Sequence, residues 1–314
     1  MEKMNTAKVK AYAKVNLTLD VTGKADGFHT LDSLVVTVDL FDQISAKKRK
    51  DGKIRVFMHG LGSETIPPEE NNAQRAGEAF TARFKTAGAD IAIYKNIPVG
   101  AGMGGSSADA AGVLNALARL NGITDERALK ELADSLGSDT GYLLKGGFAR
   151  MRGKGERIEP IADMPPLDFF LLIPQTGVNT AECFRTYDGL HADAAGETRR
   201  NADMPRTERV LESLRSGAVE WAARVMGNGL FEAAKRLNPD VEKAYLSLKE
   251  FSPLGAFMTG SGSGCCALFA TRELCEWAKS RYKGKFRAYV LRSVEPKRLK
   301  PFRNPFALGK GEGE

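Results

Sequence analysis

Little in this 314-residue chain is available for covalent or metal cross-linking: it has four cysteines, three histidines and two tryptophans. Cys183, Cys265, Cys266 and Cys275 form no C-x-x-C pair. They are too few to staple a chain of this length, which excludes a disulfide framework as the basis of the fold. His29, His59 and His191 are widely scattered, so a Cys/His metal centre is not expected. No apolar run is long enough to span a membrane. The opening residues, Met1-Glu-Lys-Met-Asn-Thr-Ala-Lys8, have no apolar core, and little chain precedes the first strand. Neither a secretory signal nor a transit peptide is expected there. Internal repeats are also lacking. A reduced, cytoplasmic globular protein is the expectation left by these absences.

Positive charge is in excess. The formal net charge of +7 favours polyanionic partners. Basic residues are spread along the chain, apart from runs at Lys47–Lys50 and Lys297–Arg303. Such runs read as solvated loop and tail, and the criteria for a nucleic-acid-binding domain are only partly met. A phosphorylated small molecule is therefore the expected partner, with neither nucleic acid nor membrane.

Hydrophobic periodicity orders the rest. Lys8–Val21 alternates strictly, which predicts one long strand. Val9, Ala11, Ala13, Val15, Leu17, Leu19 and Val21 take its apolar face. Lys10, Tyr12, Lys14, Asn16, Thr18 and Asp20 take the other, for which solvent exposure is the plainer reading. A turn at Gly23–Gly27 follows, then strands over Thr30–Phe41, Gln43–Lys48 and Lys53–Met58. After Pro67 and Pro68 a helix is expected at Glu69–Phe84, with acidic residues in its first turn. Ile91–Tyr94 reads as a strand and Asp125–Leu136 as a helix. Gly137–Gly141 reads as a tight polar loop, and Gly146–Arg152 with Glu156–Pro160 as a hairpin.

Ala162-Asp-Met-Pro-Pro166 has the composition of a domain boundary. It divides the chain into residues 1–161 and 167–304, with a Gly- and charge-rich tail at 305–314 expected to be disordered. The second part begins with a buried-type strand at Phe169–Ile173. Helices are expected at Thr180–Tyr187, Thr207–Leu214, Val219–Met226 and Pro239–Glu250. Strands at Ala256–Thr259 and Cys265–Ala270 flank a Gly260-Ser-Gly-Ser-Gly264 turn. A helix over Arg272–Tyr282 and a strand over Arg287–Arg292 complete it. Strands grouped before helices in two mixed halves point to an α+β fold.

The chemically loaded stretch is Pro98-Val-Gly-Ala-Gly-Met-Gly-Gly-Ser-Ser-Ala-Asp109. A strand precedes it, and a helical pattern with Ala110, Val113, Leu114, Leu117 and Ala118 follows. Glycine lets a backbone approach a ligand closely, and a helix N-terminus offers unpaired N–H groups to phosphate. The stretch lacks the Gly-Lys-Ser/Thr ending of a Walker loop and the spacing of a dinucleotide fingerprint. The serine hydroxyls either cap the helix or meet phosphate or magnesium. Asp139-Thr-Gly141 spells the triplet of aspartic proteases, but that chemistry needs two such aspartates and the chain has one.

This loop resembles the phosphate-binding loop of the GHMP kinases. Two further family motifs stand in order: Lys14-Val-Asn16-Leu on the first strand and the Gly260–Gly264 turn. Asp26-Gly-Phe-His-Thr-Leu31, Leu136-Gly-Ser-Asp139, Gly153-Lys-Gly-Glu156 and Asn179-Thr-Ala-Glu182 resemble the branch that phosphorylates a CDP-linked methylerythritol in non-mevalonate isoprenoid synthesis. Departures from that branch are Phe28 for a common tyrosine, Thr140-Gly-Tyr142, and Gly229.

The resemblance implies a two-domain fold with the active site in the interdomain cleft, ATP and magnesium as cofactors, and a small-molecule alcohol as acceptor. It implies that Lys14 and Asp139 are catalytic. Asp139 would accept or orient the hydroxyl proton, and Lys14 would stabilise the attacking oxygen. It assigns ATP to Asn71, Pro98, Gly100, Ala101, Gly102, Gly104, Gly105, Ser106 and Ser107. It assigns the acceptor to Asn16, Phe28, His29, Thr180 and Phe184. No metal ligand is assigned, Ser106 or Ser107 being the candidates.

Overall fold

Alternating strands and two glycine-marked turns produce a pair of sheets. The computed structural model describes residues 5–67, 71–192 and 204–295. The tail expected at 305–314 and the basic run at 297–303 lie outside them, as does the start of the helix expected from Glu69.

The first sheet contains β1 (Thr6–Asn16), β2 (Thr18–Ala25), β3 (Phe28–Lys48), β4 (Ile54–Gly60), β5 (Ala89–Lys95), β6 (Phe148–Gly153), β7 (Arg157–Ile161) and a two-residue β9 (Gly227–Asn228). Its organising member is β3, which pairs antiparallel with β1, β2, β5 and β6. The second sheet runs β10 (Gly255–Met258), β11 (Cys265–Phe269), β8 (Asp168–Ile173), β12 (Arg287–Arg292), all antiparallel. The chain passes from one sheet to the other through residues 162–167. Past β12 it returns to β3, where Val294 N donates to Thr37 O and Thr37 Oγ1 donates to Val294 O.

Three strand expectations change. The run Lys8–Val21 bends at Leu17, whose carbonyl accepts from Gly227 N. The polar face of this run is not solvated at its centre: Lys14 and Asn16 are 5% exposed and Thr18 is fully buried. Thr30–Phe41 and Gln43–Lys48 are one continuous strand, because Asp42 between them is buried and fully bonded rather than turned out to water. The turn expected over Gly23–Gly27 tightens to Asp26-Gly27, with Ala25 facing Phe28. Both turn residues have positive φ, as a two-residue hairpin loop requires.

Helix α1 (Asn72–Phe84) begins at an Asn71 cap and has no acidic residue in its first turn. Helix α2 (Gly105–Asn121) is buried on nearly every side, packed against α1, β1 and β3. It stops at Gly122, in the left-handed conformation typical of a helix end. Helix α3 (Glu126–Leu136) is capped by Asp125. The segment expected as a polar loop after it is instead a short helix, α4 (Ser138–Leu143), laid against α2. The second half supplies α5 (Thr180–Leu190), α6 (Arg206–Arg215), α7 (Val219–Val225), α8 (Phe231–Leu237), α9 (Asp240–Lys249) and α10 (Arg272–Arg281). Of these, α8 has no counterpart in the sequence reading. Its seven residues are too few to show a helical period, and Ala233 and Ala234 gain their burial only from tertiary packing.

Alanine and glycine let α2 sit close to the sheet. A Cβ at Gly112 would meet Ile44 Cδ1 inside contact distance and stand 2.9 Å from Ala11 Cβ. Gly112→Val is therefore expected to destabilise the protein by about 1–3 kcal/mol through overpacking, although glycine is itself a poor helix former. Urea unfolding should show a lower midpoint at an unchanged m-value. An unchanged midpoint would mean that α2 can shift away from β1 and β3 at no cost.

Candidate active site

The glycine-rich loop is held by backbone contacts that leave no space for side chains. Gly100, Gly102 and Gly104 have φ of +71°, +71° and +72°, with Ala101 and Met103 between them. Each carbonyl from 100 to 103 accepts a bond from elsewhere. Ser263 N reaches Gly100 O, Gly264 N reaches Ala101 O, Thr259 Oγ1 reaches Gly102 O, and Lys14 N reaches Met103 O. Among the described residues, no N–H from Gly100 to Ser107 has a protein acceptor. Alternating left-handed residues that free consecutive N–H groups form an anion-binding nest, and here the nest runs into the N-terminus of α2, where the helix dipole adds to it. Gly104 is the helix N-cap and makes no side-chain cap. Neither serine is used as the cap, so both hydroxyls stand within the first turn. Ser106 Oγ accepts from Asn72 Nδ2 at 2.9 Å.

Beneath the loop lies a buried charge cluster. Lys95 Nζ donates to Asp42 Oδ2 at 2.5 Å and to Asp109 Oδ2 at 2.6 Å. Asp42 Oδ1 accepts from Asn96 N and Ile97 N, which fixes the chain as it enters the loop. Burial alone would lower the Lys95 pKa, but the two carboxylates outweigh it and raise it. Asp109 is pushed up to about 8, first by burial and then by the like charge of Asp42, with Lys95 opposing both.

Lys14 and Asp139 meet at the mouth of the nest. Lys14 stands near the end of β1 and Asp139 in the first turn of α4, and their charged atoms are 3.4 Å apart. Lys14 Nζ also donates to Asn16 Oδ1 at 2.5 Å. Asn16 is held in turn: its Nδ2 donates to Ser33 Oγ, and its backbone N to Thr259 Oγ1. A Cβ at Gly104 would stand 3.2 Å from Lys14 Cγ, so glycine there lets the lysine pass beneath the loop.

The other end of the site is aromatic. His29, just past the β2–β3 hairpin, stacks on Phe184 of α5 with centroids 4.6 Å apart. Phe28 is 62% exposed, with the Lys154 ammonium 4.8 Å from its ring centre. Thr180 Oγ1 pairs with Ser261 Oγ at 2.9 Å. Asp188 receives His29 Nε2 and Lys24 Nζ, each at 2.7 Å.

One cavity of 980 Å³ joins these parts, and every site residue predicted from the sequence lines it. Asn71 lines it while capping α1, its Oδ1 accepting from Ala73 N and Gln74 N. Sequence reading missed Asn72, Lys95, Asp109 and Asp188, while Ser261 lies in the Gly260–Gly264 turn it had singled out. Lys95 and Asp109 bracket the loop in sequence, and a charge on each flank was a readable signal. Asp188 follows Phe184 by four residues, hence on one helix face. Nothing local marks it out.

The donor set suits a nucleoside triphosphate, with backbone N–H groups for the phosphates and a lysine–carboxylate pair beside them. Among the described residues, no three His, Cys, Asp or Glu side chains gather to hold a metal. Magnesium is commonly bound through substrate phosphates and water with only one or two protein ligands, and Ser106 and Ser107 line the cavity at the nest. No described helix is long and apolar enough to cross a membrane.

Comparisons with known proteins agree with this chemistry. Residues 71–148 match the family model of the GHMP kinases N terminal domain, and 210–284 match GHMP kinases C terminal. The chain is 36% identical over 276 residues to 4-diphosphocytidyl-2-C-methyl-D-erythritol kinase of Pelotomaculum thermopropionicum, covering 87% of this chain and 92% of that protein. A crystal structure of 4-(cytidine 5'-diphospho)-2C-methyl-D-erythritol kinase superposes with a TM-score of 0.72 at 30% identity, over 91% of this chain and 99% of that one. Homoserine kinase from Cytophaga hutchinsonii superposes at 0.71 with 16% identity, over 94% and 96%, and shares the fold.

The raised Asp109 pKa has a measurable consequence. The native state keeps a proton that the unfolded chain releases near its ordinary pKa of about 4. Stability from this group is thus complete below about pH 4 and is lost as pH rises towards about 8. Asp109→Asn removes that titration. The melting temperature of the wild type should fall relative to Asp109→Asn between pH 5 and 8, with the difference levelling above about 8. A constant difference across that range would contradict the protonated Asp109.

Proposed function

The chain belongs to the GHMP kinases, small-molecule phosphotransferases that use ATP, and from that premise we propose that it phosphorylates the 2-hydroxyl of 4-diphosphocytidyl-2-C-methyl-D-erythritol. The observation that carries this reading is the Lys14–Asp139 pair, 3.4 Å apart, standing between a phosphate nest and an aromatic pocket within one cavity. The acceptor is taken from relatives of that printed activity that match most of the chain. The pocket formed by His29 and Phe184 suits a base, which an aromatic ring can stack on. The division of labour follows the two parts of the chain, divided in our reading at Ala162–Pro166. The four cysteines, all free and buried, support a reducing, cytoplasmic setting.

ATP phosphates occupy the nest of Gly100–Ser107, with Asn71 and Pro98 towards the nucleoside. Magnesium, when bound, neutralises phosphate charge as it develops in transfer. The Ser106 or Ser107 hydroxyl is the protein group that would hold it. Asp139 accepts the proton of the attacking hydroxyl or orients it. The transition state of phosphoryl transfer is loose, so orientation is a large part of the task. Lys14 stabilises the oxygen as it attacks. Asn16 holds Lys14 in place through the 2.5 Å bond. Thr180, Phe28, His29 and Phe184 hold the cytidine end, which sets the distance from base to hydroxyl.

Asp139→Asn should lower turnover by about 10²–10⁴ while leaving ATP affinity within twofold. Labelled ATP with the CDP-linked alcohol, homoserine and mevalonate as acceptors is the assay. Near-wild-type turnover in Asp139→Asn would remove Asp139 from the chemistry. Phosphorylation of homoserine or mevalonate in place of the CDP-alcohol would replace the acceptor.

A further inference from the structure

Asp188 has no part in the phosphate chemistry, yet it is bonded to two groups of the base pocket. Its Oδ1 lies 2.7 Å from His29 Nε2 and its Oδ2 lies 2.7 Å from Lys24 Nζ. Helix α5 presents Asp188 one turn beyond Phe184, the ring on which His29 stacks. Tyr187 adds an edge contact to the same imidazole, with ring centres 6.3 Å apart. His29 is therefore pinned on one face, one edge and one nitrogen, while still lining the cavity.

A carboxylate can only accept hydrogen bonds. Burial works against the charge on Asp188, but the bonds from Lys24 and His29 outweigh it and hold its carboxyl below the usual range, so it is ionised at neutral pH. The nitrogen facing it must then carry the proton. In the neutral imidazole the second nitrogen, Nδ1, is left as an acceptor. Among the described residues Nδ1 has no hydrogen-bond partner.

We propose that Asp188, itself held by Lys24, is a positioning residue that fixes the proton of His29 on Nε2, so that Nδ1 reads the base as an acceptor and selects cytosine over uracil. The two pyrimidines differ at C4, where cytosine carries an amino donor and uracil a carbonyl acceptor, and at N3; the proposal sets Nδ1 against the C4 substituent. An Nδ1 acceptor satisfies the first and opposes the second. This selectivity rests on the CDP-alcohol reading above, whereas the tautomer itself does not.

The titratable groups that meet His29 are Asp188, at Nε2, and Tyr187, at the ring edge; Lys24 is bonded to the same Asp188, and Arg185 and Lys154 line the same cavity. Substituting Asp188→Asn changes which atoms are offered. Lys24 has only donors and takes the amide oxygen, which turns the amide NH₂ towards His29. Nε2 then accepts, and the proton moves to Nδ1.

Two measurements at pH 8, above the ordinary imidazole range of about 6.5, test this. Nitrogen-15 NMR of His29 should show the Nε2–H form in the wild type and the Nδ1–H form in Asp188→Asn. The ratio of kcat/KM for the CDP-linked alcohol to that for its UDP-linked analogue should fall at least tenfold in Asp188→Asn, with KM for ATP within twofold. Asp188→Glu, which keeps the carboxylate, should restore most of the ratio. The same tautomer in wild type and Asp188→Asn would overturn the proposal, as would an unchanged base ratio. If the wild type phosphorylates neither alcohol, the acceptor assignment fails and the NMR result still decides the tautomer. If it phosphorylates the CDP-alcohol with no base preference, the selectivity role of Asp188 fails alone.

Discussion

The structure depends on how closely three pieces of backbone approach one another around Gly100–Gly104. Strand β1 lies on one side, bonded from Lys14 N to Met103 O. The Thr259–Gly264 turn lies on the other, bonded through Ser263 N and Gly264 N. A Cβ on Gly102 would fall on Thr259 O, and one on Gly260 would fall on Gly102 O. Glycine on both faces of the contact is thus a steric requirement as well as a conformational one. The contact also joins the two sheets, since β1 belongs to one and the turn connects two strands of the other. Candidate binding groups from both parts of the chain are thereby set around a single cavity.

The cost of this arrangement appears beneath the loop. Three ionisable groups, Lys95, Asp42 and Asp109, are almost wholly buried. Removing charges from water is expensive, and a buried pair offsets that only with good geometry and further hydrogen bonds. Asp42 has those bonds, from Asn96 N and Ile97 N as well as Lys95. Asp109 does not, since its Oδ1 has no partner among the described residues. Burial, together with the like charge of Asp42 against a single shared ammonium, raises the pKa of Asp109. The cluster ties β3, the end of β5 and the first turns of α2 to one point, which holds the nest rigid from below. Preorganised donors of this kind need not reorganise as charge develops.

Much of the site was legible because its parts are local. Pro98–Asp109 shows its strand, loop and helix N-terminus within a dozen residues. Lys14 and Asn16 stand on a strict alternation. Asp139 follows a helix that ends at Gly137. What misled was environment. The alternation placed Lys14, Asn16 and Thr18 together but could not say that a loop from residues 100–104 and a turn from 259–264 would cover them. Asp42 looked like a break between strands because an acidic residue in a mostly apolar run is ordinarily solvated. Gly137–Gly141 looked like a loop because the helix that forms there, Ser138–Leu143, is held by packing on α2 rather than by its own propensity.

By itself the sequence determined the kind of chemistry and the elements that carry it. Glycine spacing, period-two and helical patterns, and the order of motifs depend only on near neighbours. Tertiary structure alone decided which carboxylates share the Lys95 ammonium, and that Lys14 stands 3.4 Å from Asp139 across 125 residues of chain. It alone brought Asp188 to the nitrogen of His29. The reason is physical: burial, dielectric environment and hydrogen-bond partners are properties of groups distant in sequence and adjacent in space, and no local pattern encodes them.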